Sequence, residues 1–389
     1  MKQYKLAEGT IDSNDYQVMI DFLKKRRTLT QSSNTKKFEL KFSKYLGRKN
    51  SVFVNSGSSA NLLIAQTLLE GNFLKNKIVV LPAISWSTTV SPFLQLGYKI
   101  ILCDCDPLNL GLDVEQLEKI CKKFNPGLVV VVNVLGHSNN FKKINKIQKK
   151  YNFKLIEDNC ESLGSKKNNR KLGCNGIASS HSFYIGHHIS TIEGGIVSTN
   201  DKNFYNIALA IRSHGWARDV DKKFKKSLEK KFKIDEFKSL YTFYYSGFNI
   251  RSTDFNAELG LNQLKRINQI SIKRHKNFNF YKSLLNNFWS QKSDLTLTSS
   301  FGYATFVKNR LEVFRYLKSK NIQSRPLISG SMSRQPFVKK KSLNRINLKN
   351  SEFADKYGLY LPNHANLNFQ DINFICKIFK KIAKPAFSK

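Results

Sequence analysis

The first two thirds of the chain alternate short apolar segments with longer amphipathic ones. Seven apolar segments have the length of β-strands and predict strands at residues 52–54, 78–81, 100–102, 128–133, 154–157, 179–183 and 196–199. Amphipathic segments predict helices between them, at residues 60–69, 88–96, 114–121 and 141–150. Strands that alternate with helices in this way are typical of an α/β fold, in which helices cover both faces of a mostly parallel sheet.

The last third of the chain has a different pattern. A lysine-rich segment at residues 221–238 has poor periodicity, which predicts an exposed excursion. A helical pattern then runs from residue 254 to about residue 285 and is long enough to bridge two domains. Beyond it, a strand at 303–307 and helices at 311–318 and 371–382 predict a smaller α+β domain. We therefore expect a large domain at residues 1–270 and a small C-terminal domain at residues 271–389.

Composition narrows the class of protein. Apolar residues make up 41% of the 389 residues, which is enough for a substantial core. The apolar runs are far shorter than the roughly 20 residues of a membrane helix, and the polar N-terminus lacks the apolar part of a signal peptide. The six cysteines form no paired framework, and we interpret Cys103 and Cys105 as packing residues rather than zinc ligands. These observations predict a cytoplasmic globular protein with no membrane partner and no bound metal.

The net charge of +37 would ordinarily indicate binding to nucleic acid. Lysine and asparagine are, however, abundant in strands, helices and loops alike, which favours a bias of the whole composition over a nucleic-acid-binding patch. We therefore predict no nucleic-acid partner. A basic surface would still attract an anionic substrate such as a nucleotide diphosphate.

Polar residues follow three of the predicted strands, where parallel sheets collect their ligands. The serine-rich segment at residues 55–61 opens a helix, so its N–H groups and hydroxyls can bind a phosphate, although serines also cap helices. Trp86 can stack on an aromatic cofactor or pack in the core. Asp158 can cap a helix, or it can face a pyridine nitrogen and keep it protonated.

Two adjacent histidines, His187 and His188, form the most informative feature. Ser182 is followed five residues later by His187, and a Glu-Gly-Gly sequence begins six residues after that, at Glu193. This segment resembles the cofactor-lysine loop of sugar-nucleotide aminotransferases that use pyridoxal phosphate (PLP), with His187 at the position of the lysine. Together with the three polar segments, it resembles the DegT/StrS family of sugar-nucleotide aminotransferases and dehydratases over nearly the whole chain.

The resemblance implies a fold-type I PLP-dependent transferase fold, like that of aspartate aminotransferase, and an obligate homodimer with shared active sites. It implies that Gly57, Ser58 and Ser182 bind the cofactor phosphate, that Trp86 stacks on the ring and that Asp158 pairs with its nitrogen. Glu161 stands where the aminotransferases carry Gln or His near the ring. Asn249 resembles the residue that the family sends into the partner subunit's phosphate site. Chemistry and approximate position suggest further contacts to substrate, with surface ion pairing or packing as the alternative, at His188, Arg218, Arg251, Arg325 and His364.

A histidine in place of the lysine changes the expected reaction. Imidazole cannot form the covalent bond that lysine forms with the cofactor aldehyde, so the cofactor can remain as pyridoxamine phosphate (PMP). Family members with a double histidine imply a 3-dehydratase that uses glutamate as amino donor. Its expected substrate is GDP-4-keto-6-deoxymannose, and its products are a 3,6-dideoxy-4-keto sugar of the colitose type, found in lipopolysaccharide O-antigens, and ammonia. His187 is the expected catalytic base at the 4′ carbon of the cofactor, and it can also act as an acid toward the 3-hydroxyl.

Three other interpretations remain. A related dehydratase type carries an iron–sulfur cluster, but no cysteine lies between Cys174 and Cys376, so we expect no such cluster. An aminotransferase remains an alternative if a lysine of the loop at residues 166–171 replaces the missing one. A non-catalytic basic scaffold or nucleic-acid-binding protein is the second alternative. The sequence does not identify the residues that bind the nucleotide base.

Overall fold

The computed structural model describes residues 2–340 and 346–387. Its strands are β1 (Asn50–Val54), β2 (Ile78–Pro82), β3 (Lys99–Cys103), β4 (Leu128–Val132), β5 (Lys154–Asp158), β6 (Lys166–Lys167), β7 (Arg170–Lys171), β8 (Ala178–Ser182), β9 (Gly195–Thr199), β10 (Gly302–Phe306), β11 (Arg325–Pro326) and β12 (Gly358–Pro362). Its helices are α1 (Ser13–Lys24), α2 (Ser33–Leu46), α3 (Gly57–Glu70), α4 (Ser87–Gln95), α5 (Val114–Phe124), α6 (Phe141–Tyr151), α7 (Lys202–Arg212), α8 (Lys222–Phe232), α9 (Glu236–Ser239), α10 (Asp254–Gln263), α11 (Ile267–Leu284), α12 (Arg310–Ser319), α13 (Pro336–Lys339), α14 (Lys349–Tyr357) and α15 (Phe369–Lys380).

A seven-stranded sheet with the order β1-β9-β8-β5-β4-β2-β3 forms the centre of the molecule. The strands β2, β3, β4, β5 and β8 are parallel, whereas β9 runs antiparallel to both of its neighbours, β8 and β1. All seven predicted strands are present, with ends within two residues of the prediction. The predicted α/β fold is therefore confirmed, and the short connection between β8 and β9 accounts for the antiparallel pair.

Alternating residues of the buried strands separate two apolar layers. Val79 and Val130 face the layer formed with α3, α4 and α7. Val80 and Val129 face the layer formed with α5 and α6. Because both faces of the sheet are covered, the central strands are apolar along their whole length. These continuous apolar runs are what made the strands predictable from the sequence.

A second sheet, β10-β12-β11, is antiparallel and packs with α11, α12 and α15 around its own apolar core. The predicted helix at residues 254–285 is divided by a short 3-10 turn, Leu264–Arg266, into α10 and α11. α11 contacts both β10 and α15. The division of the chain at residue 270 stays a prediction.

The lysine-rich segment at residues 221–238 is largely exposed, as predicted, and forms α8 and most of α9. Asp221 caps α8 by accepting hydrogen bonds from the N–H groups of Lys223 and Phe224, and Leu228 is buried. Between residues 216 and 249 several aromatic side chains remain exposed, among them Phe237, which is 83% exposed. In the part of the chain that the structure describes, no helix is long and apolar enough to cross a membrane.

Candidate cofactor and active site

The first turn of α3 lies against the end of β8. Ser56 caps the helix by accepting a hydrogen bond from the N–H of Ser59 at 3.0 Å, and the N–H groups of Gly57 and Ser58 lie in the first turn, where helices offer no acceptor. A Cβ atom at Gly57 would lie 2.6 Å from the Cβ of Ser182. The structure thus brings together the three residues predicted to bind phosphate, at the positive end of a helix.

The glycines after Glu193 also serve this turn. A Cβ atom at Gly195 would lie 2.2 Å from the carbonyl oxygen of Ser56 and 2.5 Å from the amide nitrogen of Gly57. Only a glycine lets β9 pass so close to the start of α3. The close approach of β9 to the first turn of α3 therefore requires the second glycine of the Glu-Gly-Gly sequence, Gly195.

Asp158, the last residue of β5, is nearly buried and accepts hydrogen bonds from three groups. Its Oδ2 accepts from Asn61 Nδ2 at 2.9 Å and from Thr89 Oγ1 at 2.8 Å. Its Oδ1 accepts from the N–H of Cys160 at 3.1 Å. No basic side chain lies within ion-pair distance of this carboxylate among the residues that the structure describes. A protonated pyridine nitrogen would therefore supply the cationic partner that this carboxylate lacks among those residues.

Trp86 precedes α4 and is 55% exposed, so its indole is available for stacking rather than packed in the core. Thr89, which binds Asp158, lies one turn further along α4. In the same helix Thr88 accepts a hydrogen bond from the hydroxyl of Ser58 at 3.0 Å. α4 thus connects the indole, the carboxylate and the phosphate turn.

His187 lies in the loop between β8 and β9, and its N–H donates to the carbonyl of Tyr184 at 2.9 Å. Its ring is partly buried and packs on Phe301, with ring centroids 5.3 Å apart. Burial, followed by the positive charge of Arg274, lowers the pKa of His187 to about 4, while the charge of Asp158 acts in the opposite direction. Near neutral pH the ring is therefore uncharged and able to accept a proton.

His188 is fully buried, and its Nε2 lies 2.8 Å from the carbonyl oxygen of Ser299. Burial and the charge of Arg274 lower the pKa of His188 well below its usual value. This environment favours a packing role for His188, which connects the loop to the start of the second sheet. A direct contact of His188 with substrate stays a prediction.

Glu161 is half-buried beside the same sheet edge, and its Oε2 accepts a hydrogen bond from the N–H of Leu135 at 2.9 Å. Burial and the nearby charge of Asp158 raise the pKa of Glu161 to about 7. Near neutral pH this carboxyl group can therefore either donate or accept a hydrogen bond. That property suits a position beside a cofactor hydroxyl.

Three predicted contacts lie on the segment at residues 216–251. Asn249 is exposed and accepts a hydrogen bond from Arg251 Nε at 3.1 Å. Arg218 lies over the ring of Trp216, 4.8 Å from its centroid, and its Nε is 3.5 Å from Asp219. These side-chain contacts of the three residues are with neighbouring residues of the same segment. Their predicted roles in binding stay predictions.

Arg325 and His364 lie in the C-terminal part. Arg325 is exposed on β11 and pairs with Tyr360 of β12, whose pKa is raised to about 12 by burial first and then by the charge of Glu161. Arg325 is therefore close to the candidate site. His364 is buried, and its Nδ1 lies 3.5 Å from Oε2 of Glu8. Burial leaves His364 little surface for a substrate.

The three lysines of the alternative interpretation lie in the β6–β7 hairpin. Lys167 pairs with Asp294, and Lys171 lies over the ring of Tyr45, 4.5 Å from its centroid. Lys166 forms a backbone bridge with Leu297. These contacts give the lysines of the hairpin structural partners away from the loop that carries His187.

Three polar residues of the site were not singled out from the sequence. Asn61 and Thr89 hold the carboxylate of Asp158, and Asn61 also accepts a hydrogen bond from Ser180 Oγ at 2.6 Å. Helical spacing was a usable signal, since Asn61 lies four residues after Gly57 and therefore on the same helix face. Arg274 had no such signal, because its partners are distant in the sequence.

These residues fit PLP. The carboxylate of Asp158, which has no cationic partner among the described residues, suits the pyridine nitrogen of that cofactor. The exposed indole of Trp86 suits its ring. The N-terminus of α3, beside the hydroxyl of Ser182, suits its phosphate. His187, whose pKa is lowered to about 4, occupies the loop in which the sequence predicts the residue that faces the cofactor aldehyde. The arrangement can therefore support proton transfer beside an electron-accepting ring, without a covalent link between the protein and the cofactor.

The chain belongs to the DegT/DnrJ/EryC1/StrS aminotransferase family, whose profile matches residues 10–380. The predicted family is therefore confirmed. Within it, the chain is 32% identical to the GDP-4-keto-6-deoxy-D-mannose 3-dehydratase of Escherichia coli O55:H7, over 98% of this chain and 100% of the relative. A crystal structure of such a dehydratase with a trapped PLP–glutamate geminal diamine has a TM-score of 0.88 and 31% identity, and the match covers 97% of this chain and 100% of the other. A histidine-to-asparagine variant with bound GDP-perosamine has a TM-score of 0.87 and 30% identity, with the same coverage.

Proposed function

We propose that the protein is a PLP- and PMP-dependent sugar-nucleotide 3-dehydratase. It removes the 3-hydroxyl group from GDP-4-keto-6-deoxymannose, uses glutamate as amino donor, and releases a 3,6-dideoxy-4-keto sugar nucleotide and ammonia. The observation that carries this proposal is the location of His187 in the loop after β8, which ends at Ser182, near the buried carboxylate of Asp158 and the first turn of α3. Similarity to dehydratases over nearly the full length of both chains supports the same assignment.

Four parts of the chain would hold the cofactor. The N–H groups of Gly57 and Ser58, with the Ser182 hydroxyl, would bind its phosphate, and Trp86 would cover one face of the ring. Asp158 would keep the ring nitrogen protonated, because its carboxylate is nearly buried and its hydrogen bonds already fix its direction. When bound, PLP supplies a ring that stabilises negative charge on a neighbouring carbon.

His187 would move the proton. Its Nδ1 is buried and has no hydrogen-bond partner among the described residues, so it is free to accept a proton from a carbon beside the ring. Once charged, the imidazolium would be stabilised by Asp158 and could return the proton to the departing 3-hydroxyl group. Because imidazole does not bond to the cofactor, the site would not return it to a lysine-bound form after each reaction.

We also propose a homodimer in the cytoplasm. The exposed aromatic side chains between residues 216 and 249, and the exposed Asn249 beside them, support burial of this surface by a second copy. All six cysteines are free thiols, as expected for a protein of a reducing compartment. Sedimentation of the purified protein tests the dimer, and a monomer at micromolar concentration would contradict it.

The assay for the reaction has two stages. Glutamate is added to the PLP-loaded protein and the conversion to PMP is followed by absorbance, and GDP-4-keto-6-deoxymannose is then added and ammonia is measured. We expect His187→Asn to abolish ammonia release, and His275→Asn, which alters a partly exposed histidine on α11, to leave it unchanged. Ammonia release by His187→Asn at the wild-type rate would refute the assignment of the base.

The same protein distinguishes the aminotransferase alternative. Borohydride reduction of the PLP-loaded protein followed by mass spectrometry of peptides would reveal a lysine adduct. We expect none, and we expect the sugar product to lack nitrogen. A stable adduct on a lysine of the β6–β7 hairpin, together with an amino sugar product, would replace the dehydratase by an aminotransferase.

A further inference from the structure

Arg274, on α11, carries a buried positive charge at the base of the histidine loop. Its side chain is 1% exposed. Its Nη1 donates to the carbonyl oxygens of Asn363 at 2.7 Å, Phe301 at 3.2 Å and Ser300 at 3.4 Å. Its Nη2 reaches the carbonyl oxygen of His187 at 3.5 Å. The guanidinium thus joins three segments that are distant in the sequence, and one of them is the loop that carries the proposed base.

No carboxylate lies within ion-pair distance of Arg274 among the residues that the structure describes. The other arginine of similar burial, Arg212, shows the usual arrangement, with Glu39 at 2.6 Å and Asp219 at 3.7 Å. Burying a charge without a counter-charge is costly, and carbonyl dipoles offset only part of that cost. Burial accordingly lowers the pKa of Arg274 to about 10, so the group is still charged at neutral pH. Carbonyl oxygens, one of them that of His187, are therefore the hydrogen-bond partners of this charge among the described residues.

The charge acts mainly on histidines. Among the charged groups near His187, Arg274 lowers its pKa most, and it also lowers the pKa values of His188 and His364. Asp158, at the end of β5, faces His187 from another element, and a main-chain hydrogen bond at Cys160 also raises the pKa of His187. Within its own loop His187 faces His188 and the ring of Tyr184, whose centroid is 6.5 Å away. Asp158 favours a charged His187 and Arg274 opposes it. The two charges therefore act in opposition on the proposed base.

We propose that Arg274 is a positioning residue for the reaction, which holds the main chain of His187 in place and adds to the effect of burial in keeping its ring in the uncharged, proton-accepting form. This inference rests on the proposed function of His187 as the base. The carboxylate of Asp158 would serve the cofactor, and its charge favours the protonated form of His187. The charge of Arg274 offsets this effect.

The test measures the protonation of His187 directly. In protein without cofactor, labelled with 15N-histidine, the His187 signals are assigned by their loss in His187→Asn and followed by NMR from pH 4 to pH 8. We expect Arg274→Gln to raise the pKa of His187 by about one pH unit, the lower end of the effect of a close charge. Arg274→Lys retains the charge and should restore the low value. Lys276→Gln removes a charge from an exposed position of the same helix and should change nothing.

The pH dependence of ammonia release gives a second readout. The acid limb of the profile should move upward by the same amount in Arg274→Gln and return in Arg274→Lys, whereas a purely structural role would lower the rate equally at all pH values. An unchanged pKa of His187 in folded Arg274→Gln would overturn the proposal. If Arg274→Gln does not fold, Arg274→Met, which removes the charge without burying another polar side chain, takes its place. The pKa of His187 should rise in that variant also, and an unchanged value would again overturn the inference.

The outcomes for the two proposals can be separated. If the NMR shift occurs but His187→Asn still releases ammonia, Arg274 controls the protonation of His187 and the proposed base is wrong. If His187→Asn is inactive but Arg274→Gln leaves the pKa of His187 unchanged, the proposed function stands and the inference about Arg274 fails.

Discussion

Acidification should destabilise this protein at a buried histidine outside the candidate site, His137. The side chain is 1% exposed and packs edge-on against Phe278, with ring centroids 4.8 Å apart. Neither ring nitrogen has a hydrogen-bond partner in the described part of the chain. Burial, with a smaller effect of the charge of Lys282, lowers the pKa of His137 to about 3. The folded protein therefore holds this ring uncharged.

The sign follows from the two states. The unfolded chain binds a proton at its ordinary pKa of about 6.5, whereas the folded chain does not, so the free energy of unfolding decreases as the pH falls below about 6.5 and stops decreasing below about 3. Between pH 7 and pH 5.5 one such histidine costs about 1.2 kcal/mol. That is a substantial part of the roughly 5–15 kcal/mol of a typical domain.

Substitution isolates this contribution. His137→Leu places an apolar side chain of similar size against Phe278 and removes the titrating ring. Urea denaturation at pH 7 and pH 5.5 gives the free energy of unfolding of both proteins. We expect the wild type to lose about 1.2 kcal/mol more than His137→Leu over this interval. The control is His275→Leu, at a partly exposed position. We expect the free energy of unfolding of this variant to depend on pH nearly as strongly as that of the wild type.

Equal pH dependence of the wild type and His137→Leu would refute the reasoning. It would mean that the ring is protonated in the folded protein, or that water reaches it. A larger difference than expected would instead point to a second group that titrates with His137.

Three further predictions concern packing and the cofactor site. Gly57→Ala should weaken PLP binding, measured by fluorescence titration, and lower the melting temperature, because the new Cβ would lie 2.6 Å from the Cβ of Ser182; unchanged affinity would contradict the phosphate turn. Arg212→Met should cost about 3–5 kcal/mol in urea denaturation at pH 7, because it leaves the buried carboxylate of Glu39 without its partner, and adding Glu39→Gln should recover part of the loss. Asp158→Asn should slow the conversion of PLP to PMP by glutamate by roughly 100-fold or more, because it removes the charge that keeps the ring nitrogen protonated; a rate within a factor of about three of wild type would show that this carboxylate does not serve the ring.

Strands were predictable where burial on both faces leaves a continuous apolar run. β4 illustrates this, since all five residues of Leu128–Val132 are buried. The antiparallel direction of β9 could not be read from its composition, because direction depends on the length and path of the loop before it. α8 was not predicted as a helix, since only Leu228 of its eleven residues is buried and its charges obscure the helical period.

The site was predictable where function requires a fixed spacing along the chain. His187 was found by counting from Ser182 and from Glu193, and Gly57 followed from the turn that opens α3. Spacing along the sequence could not identify Arg274. Its acceptor on Asn363 lies 89 residues away, and the one on His187 lies 87 residues away in the other direction. Only the folded chain shows that a cation of α11 faces the histidine loop.

The cage of carbonyl oxygens around Arg274 separates two kinds of positive charge by their response to salt. Most of the lysine and arginine side chains that the structure describes lie at the surface, where dissolved ions screen their charge over about 10 Å at 0.1 M ionic strength. The guanidinium inside the cage is shielded from those ions. Raising the salt concentration should therefore slow the capture of a nucleotide substrate while it leaves the acid limb of the reaction in place. Ionic strength should therefore change the rate of substrate association without changing the protonation of His187.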